Sequence, residues 1–187
     1  MRLAPPEPPL ADEVVALRPW RPSDAPVVVA ALDGDPEITR WLDQVPQPYG
    51  LDEAHAYIAA CRRGWEEGTG ASFAVLDAAD ERVLGSLGIR LADLPVGVAE
   101  AGYWVAREAR GRGAATRALR LAARWILGHE GIERLQLRTD ALNVTSQRVA
   151  EKAGFRREGV LRSLHYNPRL GRQVDFVMFS LLPGELP

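Results

Sequence analysis

The sequence predicts one α+β domain: a mixed, mostly antiparallel twisted sheet of about seven strands with about four helices on both faces. Three observations predict it. First, 187 residues at 47% hydrophobic suffice for one core without disulfides or metals. Second, the runs Phe73–Leu76, Val83–Leu91 and Ala99–Ala106 follow one another across turn-rich pieces at Asp77–Asp80 and Asp93–Gly97, as in an antiparallel meander. Third, the hydrophobic period then changes from two to 3.6, and the resulting order of strands and helices is not the regular alternation of a parallel sheet.

In chain order, Met1–Asp12 carries Pro5, Pro6, Pro8 and Pro9 and reads as a loose arm outside the fold, leaving residues 13–187 as the domain. Val14, Val15 and Leu17 suit a strand. Ser23 or Asp24 offers an N-cap for a helix over Ala25–Leu32, and a short helical piece is expected near Pro36–Leu42. The Pro-bearing stretch Asp43–Gly50 reads as a loop, and Asp52–Glu67 places Ala56, Tyr57, Ala60 and Trp65 at helical spacing. After the meander, Ala115, Leu119, Ala122, Ala123, Ile126 and Leu127 form an apolar stripe opposite Arg117, Arg120 and Arg124. Leu135–Thr139 alternates as a strand, Asn143–Ala153 is a short helix stopped by Gly154, and Phe155–Leu164 and Gln173–Leu181 close the chain as two strands.

Composition excludes several function classes. The formal charge of −2, from 23 basic against 25 acidic residues, gives no net attraction to nucleic acid or anionic membrane. No apolar run of membrane-spanning length and no signal peptide is present, and the single Cys61 forms no internal disulfide, so a cytoplasmic location is expected. His55, His129 and His165 are not spaced for a metal, and Cys61 lacks the neighbours of a cysteine nucleophile.

The most informative stretch is Tyr103–Thr116, a strand ending in a basic, glycine-bearing turn that opens the long helix. Gly111 and Gly113 permit close backbone approach, Arg110 and Arg112 add charge, and free N–H groups at a helix start attract anions. The same features also serve a plain helix start. A Walker loop needs Gly-Lys, and the only lysine, Lys152, is elsewhere. A dinucleotide fingerprint needs a small residue where Thr116 stands.

With these residues the sequence resembles the GNAT superfamily of acetyl-CoA-dependent N-acetyltransferases. Arg110-x-x-Gly113-x-Ala115 matches its pyrophosphate signature Q/R-x-x-G-x-G/A. Downstream, Asn143 to Phe155 resembles the N-x-x-S-x-R-V-x-E-K-x-G-F of the Rim-type (RimJ/RimL-like) branch. The resemblance implies the GNAT fold, acetyl-CoA as co-substrate and no metal. It places pantetheine against Trp104, Val105 and Ala106, and the pyrophosphate on Arg110, Gly111, Arg112, Gly113, Ala115 and Thr116. Asn143 reaches the pantetheine arm, a role compatible with its suitability as an N-cap.

Direct acetyl transfer requires removal of a proton from an ammonium, donors for the oxyanion and protonation of the departing thiolate. Relatives often protonate the thiolate from a tyrosine, but the aligned position here is Ala150, and Ser146 is the matching hydroxyl of the Rim-type branch. Glu100, preceding the Gly102–Trp104 strand, is the expected base. Trp41, Tyr49, His165 and Tyr166 fall where the family walls its acceptor site.

The expected partners are therefore acetyl-CoA and an amine acceptor, either a protein N-terminus or a small molecule, with neither nucleic acid nor membrane; a homodimer is compatible. A non-catalytic CoA-binding module is the alternative that the missing tyrosine leaves open. A weaker one is nucleic-acid binding through Arg110, Arg112, Arg117, Arg120 and Arg124.

Overall fold

The structure, a computed structural model, describes residues 2–93 and 96–186. The expected Asp93–Gly97 turn falls partly, and Met1 and Pro187 wholly, outside them. The strands are β1 (Leu10–Ala11), β2 (Val15–Pro19), β3 (Gly70–Asp77), β4 (Val83–Asp93), β5 (Val98–Val105), β6 (Arg134–Asp140), β7 (Arg156–Asn167) and β8 (Arg172–Leu181). The helices are α1 (Ala25–Leu32), α2 (Pro36–Trp41), α3 (Leu51–Glu67), α4 (Ala114–Leu127) and α5 (Val144–Lys152). Among the described residues this makes one eight-stranded sheet, ordered β1-β2-β3-β4-β5-β6-β8-β7. Every pairing is antiparallel except β5 with β6.

Strand alternation sends side chains to two separate cores. On one face, Ala99 and Ala101 of β5, Leu135 and Leu137 of β6 and Phe73 of β3 pack against Ala118, Leu119, Ala122 and Ile126, the apolar stripe of α4. On the other, Ala74, Leu76 and Trp104 pack against Val28, Ile38, Ile58 and Cys61 from α1, α2 and α3. Trp104 stacks on Trp20 at 6.1 Å. A buried polar chain stiffens this second core: the Tyr57 hydroxyl lies 2.7 Å from Ser86 Oγ, which donates to the Phe73 carbonyl. Burial pushes the Tyr57 phenol well above its ordinary value.

The N-terminal arm corrects the sequence expectation. It is not loose, because Leu3 is fully buried in the α4-side core, and Leu10–Ala11 pair with β2 as the eighth strand. Asp12 accepts the backbone N–H groups of Val14 and Val15 and forms an ion pair with Arg117 at 2.9 Å. The prolines set an extended backbone, which suits a chain laid along a sheet edge. The short α2 also forms a full element, since the Asp35 side chain caps the N–H groups of Glu37 and Ile38.

Leu3→Ala is expected to destabilise the protein by about 2–4 kcal/mol in denaturant unfolding, the cost of emptying a buried leucine site. A loss below about 0.5 kcal/mol would show that the arm detaches without consequence.

Candidate active site

The site begins where two strands separate. Parallel pairing of β5 with β6 runs from Val98↔Arg134 to Ala101↔Leu137 and stops there. Beyond it, Gly102–Val105 remain paired only to β4, and Arg138–Asp140 only to β8. The gap opens a cleft of about 740 Å³ that reaches from the N-terminus of α4 to α2, the 42–44 loop and the β7–β8 hairpin. The β5 edge facing it has lost its partner strand and presents unpaired backbone groups.

At one end lies the glycine turn. Gly111 and Gly113 adopt positive φ (75° and 82°), and a Cβ at either would meet nothing within 4 Å. The glycines are therefore required for backbone conformation rather than for lack of room. Arg117 is the first α4 residue whose N–H bonds back, to the Gly113 carbonyl at 3.1 Å, so the N–H groups of Ala114, Ala115 and Thr116 lie ahead of the intrahelical ladder. All three residues line the cleft, forming an anion cradle made of backbone donors and helix dipole.

The two arginines of this turn are placed differently. Arg110 lines the cleft, but its guanidinium is engaged: it grips Asp35 at 2.6 and 3.3 Å and donates through Nε to the Val105 carbonyl. Burial alone would raise the Asp35 carboxyl, but the Arg110 hydrogen bonds and the capped N–H groups outweigh it, and the net shift is downward. Arg110 thus locks α2 to the glycine turn. Arg112 is exposed and does not line the cleft, and Ala106 is buried in the second core with its N–H on the Leu84 carbonyl. The basic lining comes instead from α5, where Thr145, Arg148, Val149 and Lys152 form one helical stripe facing the cleft. That stripe is legible as an i, i+3, i+4, i+7 pattern.

In the gap, Asn143 caps α5 by accepting the Ser146 N–H at 3.0 Å, so the capping role is realised at a residue that also lines the cleft. Ser146 Oγ lies 2.9 Å from the Tyr103 hydroxyl. Burial pushes the Tyr103 phenol up to about 12, with the Ser146 hydrogen bond acting against that rise. Sequence reasoning missed Tyr103, because it sits on β5 rather than on α5, where the family's tyrosine is sought.

Glu100 lines the cleft, but its surroundings argue against a base. Cross-strand register sets it between Arg90 and Gln136, with Arg138 two residues along β6. Its carboxylate accepts from Arg138 and Gln136 at 2.7 Å each and from Arg90 at 3.2 Å. Burial raises its pKa, the Arg138 and Gln136 hydrogen bonds lower it by more, and the carboxyl ends below its ordinary value. Glu100 and Tyr103 also point to opposite faces of β5 by strand alternation.

Of the expected acceptor-site aromatics, Trp41 lines the cleft, with its indole donating to Glu37 and Arg40 lying 4.5 Å over the ring. His165 lines it too, with Nε2 2.7 Å from Asp43 Oδ2. Tyr49 does not: it is buried in the second core, its phenol pushed up to about 12 by burial. Tyr166 alternates away from His165 and is exposed outside the cleft. No group of metal-binding residues occurs among the described residues. The helix arginines offered for nucleic acid are engaged as well: Arg117 pairs with Asp12 and Glu13, and Arg120 donates to the Lys152 carbonyl.

Residues 15–156 match the family described as Acetyltransferase (GNAT) domain. The chain belongs to this family. Over 176 residues it is 28% identical to a Bacillus licheniformis protein named "Uncharacterized N-acetyltransferase p20", covering 94% of this chain and 97% of that protein. It is 27% identical over 177 residues to "Putative ribosomal N-acetyltransferase YdaF" of Bacillus subtilis strain 168, covering 93% and 94%. Mycobacterium smegmatis RimJ, solved in complex with CoA-disulfide, superposes with a TM-score of 0.79 at 24% identity over 92% of this chain and 84% of that one, a likeness of fold. The GNAT chain described here is thus an N-acetyltransferase whose named relatives include ribosomal acetyltransferases. No helix among the described residues is long and apolar enough to cross a membrane.

Asp35→Ala removes both the α2 cap and the partner of Arg110, and is expected to cost about 2–4 kcal/mol in urea unfolding. The Asp35 pKa is depressed in the folded state, so its contribution is complete above the unfolded value near 3.8 and is lost as pH falls through the folded one. The wild-type advantage over Asp35→Ala is therefore expected to shrink below about pH 4, and an advantage independent of acid would contradict the ion pair.

Proposed function

We propose that this GNAT enzyme transfers an acetyl group from acetyl-CoA to a primary amine by direct attack on the thioester. The acceptor is a protein N-terminal α-amine or a small-molecule amine, and a ribosomal acceptor would place the enzyme in the cytoplasm. The observation that carries the proposal is the separation of β5 from β6 between an anion cradle at α4 and the Ser146 hydroxyl at α5. A ligand with a pyrophosphate at one end, an extended amide-bearing arm and a thioester fits this series of groups.

In this reading the pyrophosphate takes the N–H groups from Gly111 to Thr116, with Arg148 and Lys152 supplying the charge that Arg110 and Arg112 do not. Pantetheine extends the sheet along the free edge of β5 at Tyr103–Val105, beside Asn143. Ser146 donates toward the departing sulfur, and Tyr103, hydrogen-bonded to it, sets the direction of its hydroxyl. Glu100 fixes the opposite wall through Arg138 and does not serve as the base. The name of YdaF supports a ribosomal acceptor, while the open α2–hairpin end also admits a small amine.

Thermal unfolding with increasing CoA or acetyl-CoA tests the donor site. A saturable rise is expected, worth about 2.7 kcal/mol at about 100 times the dissociation constant, and Gly113→Ala is expected to abolish it by opposing the positive φ of the cradle. Thiol release with N-terminal peptides and small amines separates an enzyme from a non-catalytic CoA-binding module, which would show the thermal rise without turnover. Ser146→Ala is expected to lower kcat by roughly 10²-fold with acetyl-CoA affinity retained. An unchanged kcat would remove Ser146 from the chemistry.

A further inference from the structure

Resting on the transferase reading, one requirement of the reaction still lacks a group: something must accept the proton of the incoming ammonium. Among the titratable residues lining the cleft, most are committed. Glu100 is held by Arg138, Gln136 and Arg90, and Glu37 accepts from the Trp41 indole. Asp140 accepts the Leu142 N–H, and the Tyr103 phenol is bound to Ser146. Arg40, Arg110, Arg138, Arg148 and Lys152 are cations that only donate hydrogen bonds and offer no lone pair. His165 remains.

Its geometry is that of an oriented base. Asp43 Oδ2 lies 2.7 Å from Nε2, and the Asp43 side chain is only 11% exposed. A carboxylate only accepts hydrogen bonds, so the proton of the neutral ring sits on Nε2 and the lone pair sits on Nδ1. Among the described residues Nδ1 makes no hydrogen bond, and the imidazole is partly open to the cleft.

The strand is shaped to deliver this ring. The β7–β8 register shifts between Leu161 and His165, Ser163 takes a φ of +51°, and Asp175 accepts the Ser163 N–H at 2.8 Å. A pinned bulge of this kind re-aims the side chain that follows it. His165 emerges paired to Val174, with its ring edge-on to Phe176 at 5.9 Å, and both neighbours line the cleft. Besides Asp43, the charged groups on neighbouring elements are Asp175 of β8, which accepts the Ser163 N–H, Arg169 of the hairpin turn, which donates to the Val45 carbonyl, and Arg40 and the Glu100–Arg138 pair, which line the same cleft.

We infer that His165 is the general base of the transfer and that Asp43 is its positioning residue. Nδ1 takes one proton from the substrate ammonium. The amine lone pair forms the C–N bond to the thioester carbonyl, and the C–S bond breaks as the tetrahedral adduct collapses. A second amine proton passes to the sulfur by way of Ser146, the third stays on the product amide, and the imidazolium returns its proton to solvent. Asp43 stabilises the imidazolium while it lasts.

The test is the pH dependence of kcat/KM for wild type, His165→Gln and Asp43→Asn, with a peptide or small amine shown to be turned over by wild type and acetyl-CoA binding followed separately. His165→Gln is expected to keep acetyl-CoA affinity, to lose roughly 10²–10⁴-fold in kcat/KM and to lose the acidic limb of the profile. Asp43→Asn is expected to move that limb to lower pH, because the imidazolium loses its partner carboxylate. Free imidazole should partly restore His165→Gly. Retained kcat/KM in His165→Gln, or a fall with the limb unmoved and no imidazole rescue, overturns the inference and leaves His165 as a tie between β7 and the 42–44 loop. Wild type that binds acetyl-CoA yet acetylates no amine overturns the transferase reading, and this inference with it. That outcome is distinct because it appears before any substitution is made.

Discussion

The parallel contact between β5 and β6 ends at Ala101 and Leu137, and the site depends on that ending. Both strands are held on their outer sides, β5 by β4 and β6 by β8, so neither collapses into the gap. The α4-side core fixes the angle between them, since Ala99, Ala101, Leu135 and Leu137 pack on one helix surface made largely of alanine. Small residues there let the helix approach closely and bring its N-terminus to the mouth of the cleft. The unpaired β5 edge and the N–H groups of α4 are two forms of one resource: backbone donors that the fold leaves without partners.

Charge is distributed around this gap with little left unassigned. Arg110 and Asp35 join the glycine turn to α2; Glu100 and Arg138 join β5 to β6 across the start of the separation; Asp43 and His165 join the α2 loop to the late hairpin. Each pair links two elements that meet at the cleft, so the walls at both of its ends are tied mechanically. Only the third pair contains an imidazole, with one nitrogen held by the carboxylate and the other without a hydrogen bond among the described residues, and this distinguishes it chemically from the other two pairs.

Much of the scaffold was legible in the sequence. The meander, the α4 stripe, the cap at Asn143 and the glycine turn all rest on local periodicity or local φ requirements, and the structure places each within a few residues of its expected bounds. The arm departs from expectation because proline content speaks of backbone conformation and not of burial, whereas Leu3 is decided by a core assembled mostly from residues more than sixty positions away. The same limit applies at the site. That Gly111, Gly113, Ala115 and Ser146 lie at the cleft agrees with the motif positions, while the side-chain placements of Arg110, Tyr49 and Tyr166 follow from packing.

The sequence by itself determined the order of elements, the family resemblance and the glycine turn that opens α4, because helix period, strand alternation and left-handed glycines are properties of neighbouring residues. Only the tertiary structure decided which charges meet. Glu100 became a clamped carboxylate because cross-strand register set Arg90, Gln136 and Arg138 around it. Arg110 became a strut because Asp35 lies across the fold, and His165 acquired Asp43, 122 positions earlier in the chain, as its partner. Pairings over such distances are set by how the sheet and helices pack, and no local pattern encodes them.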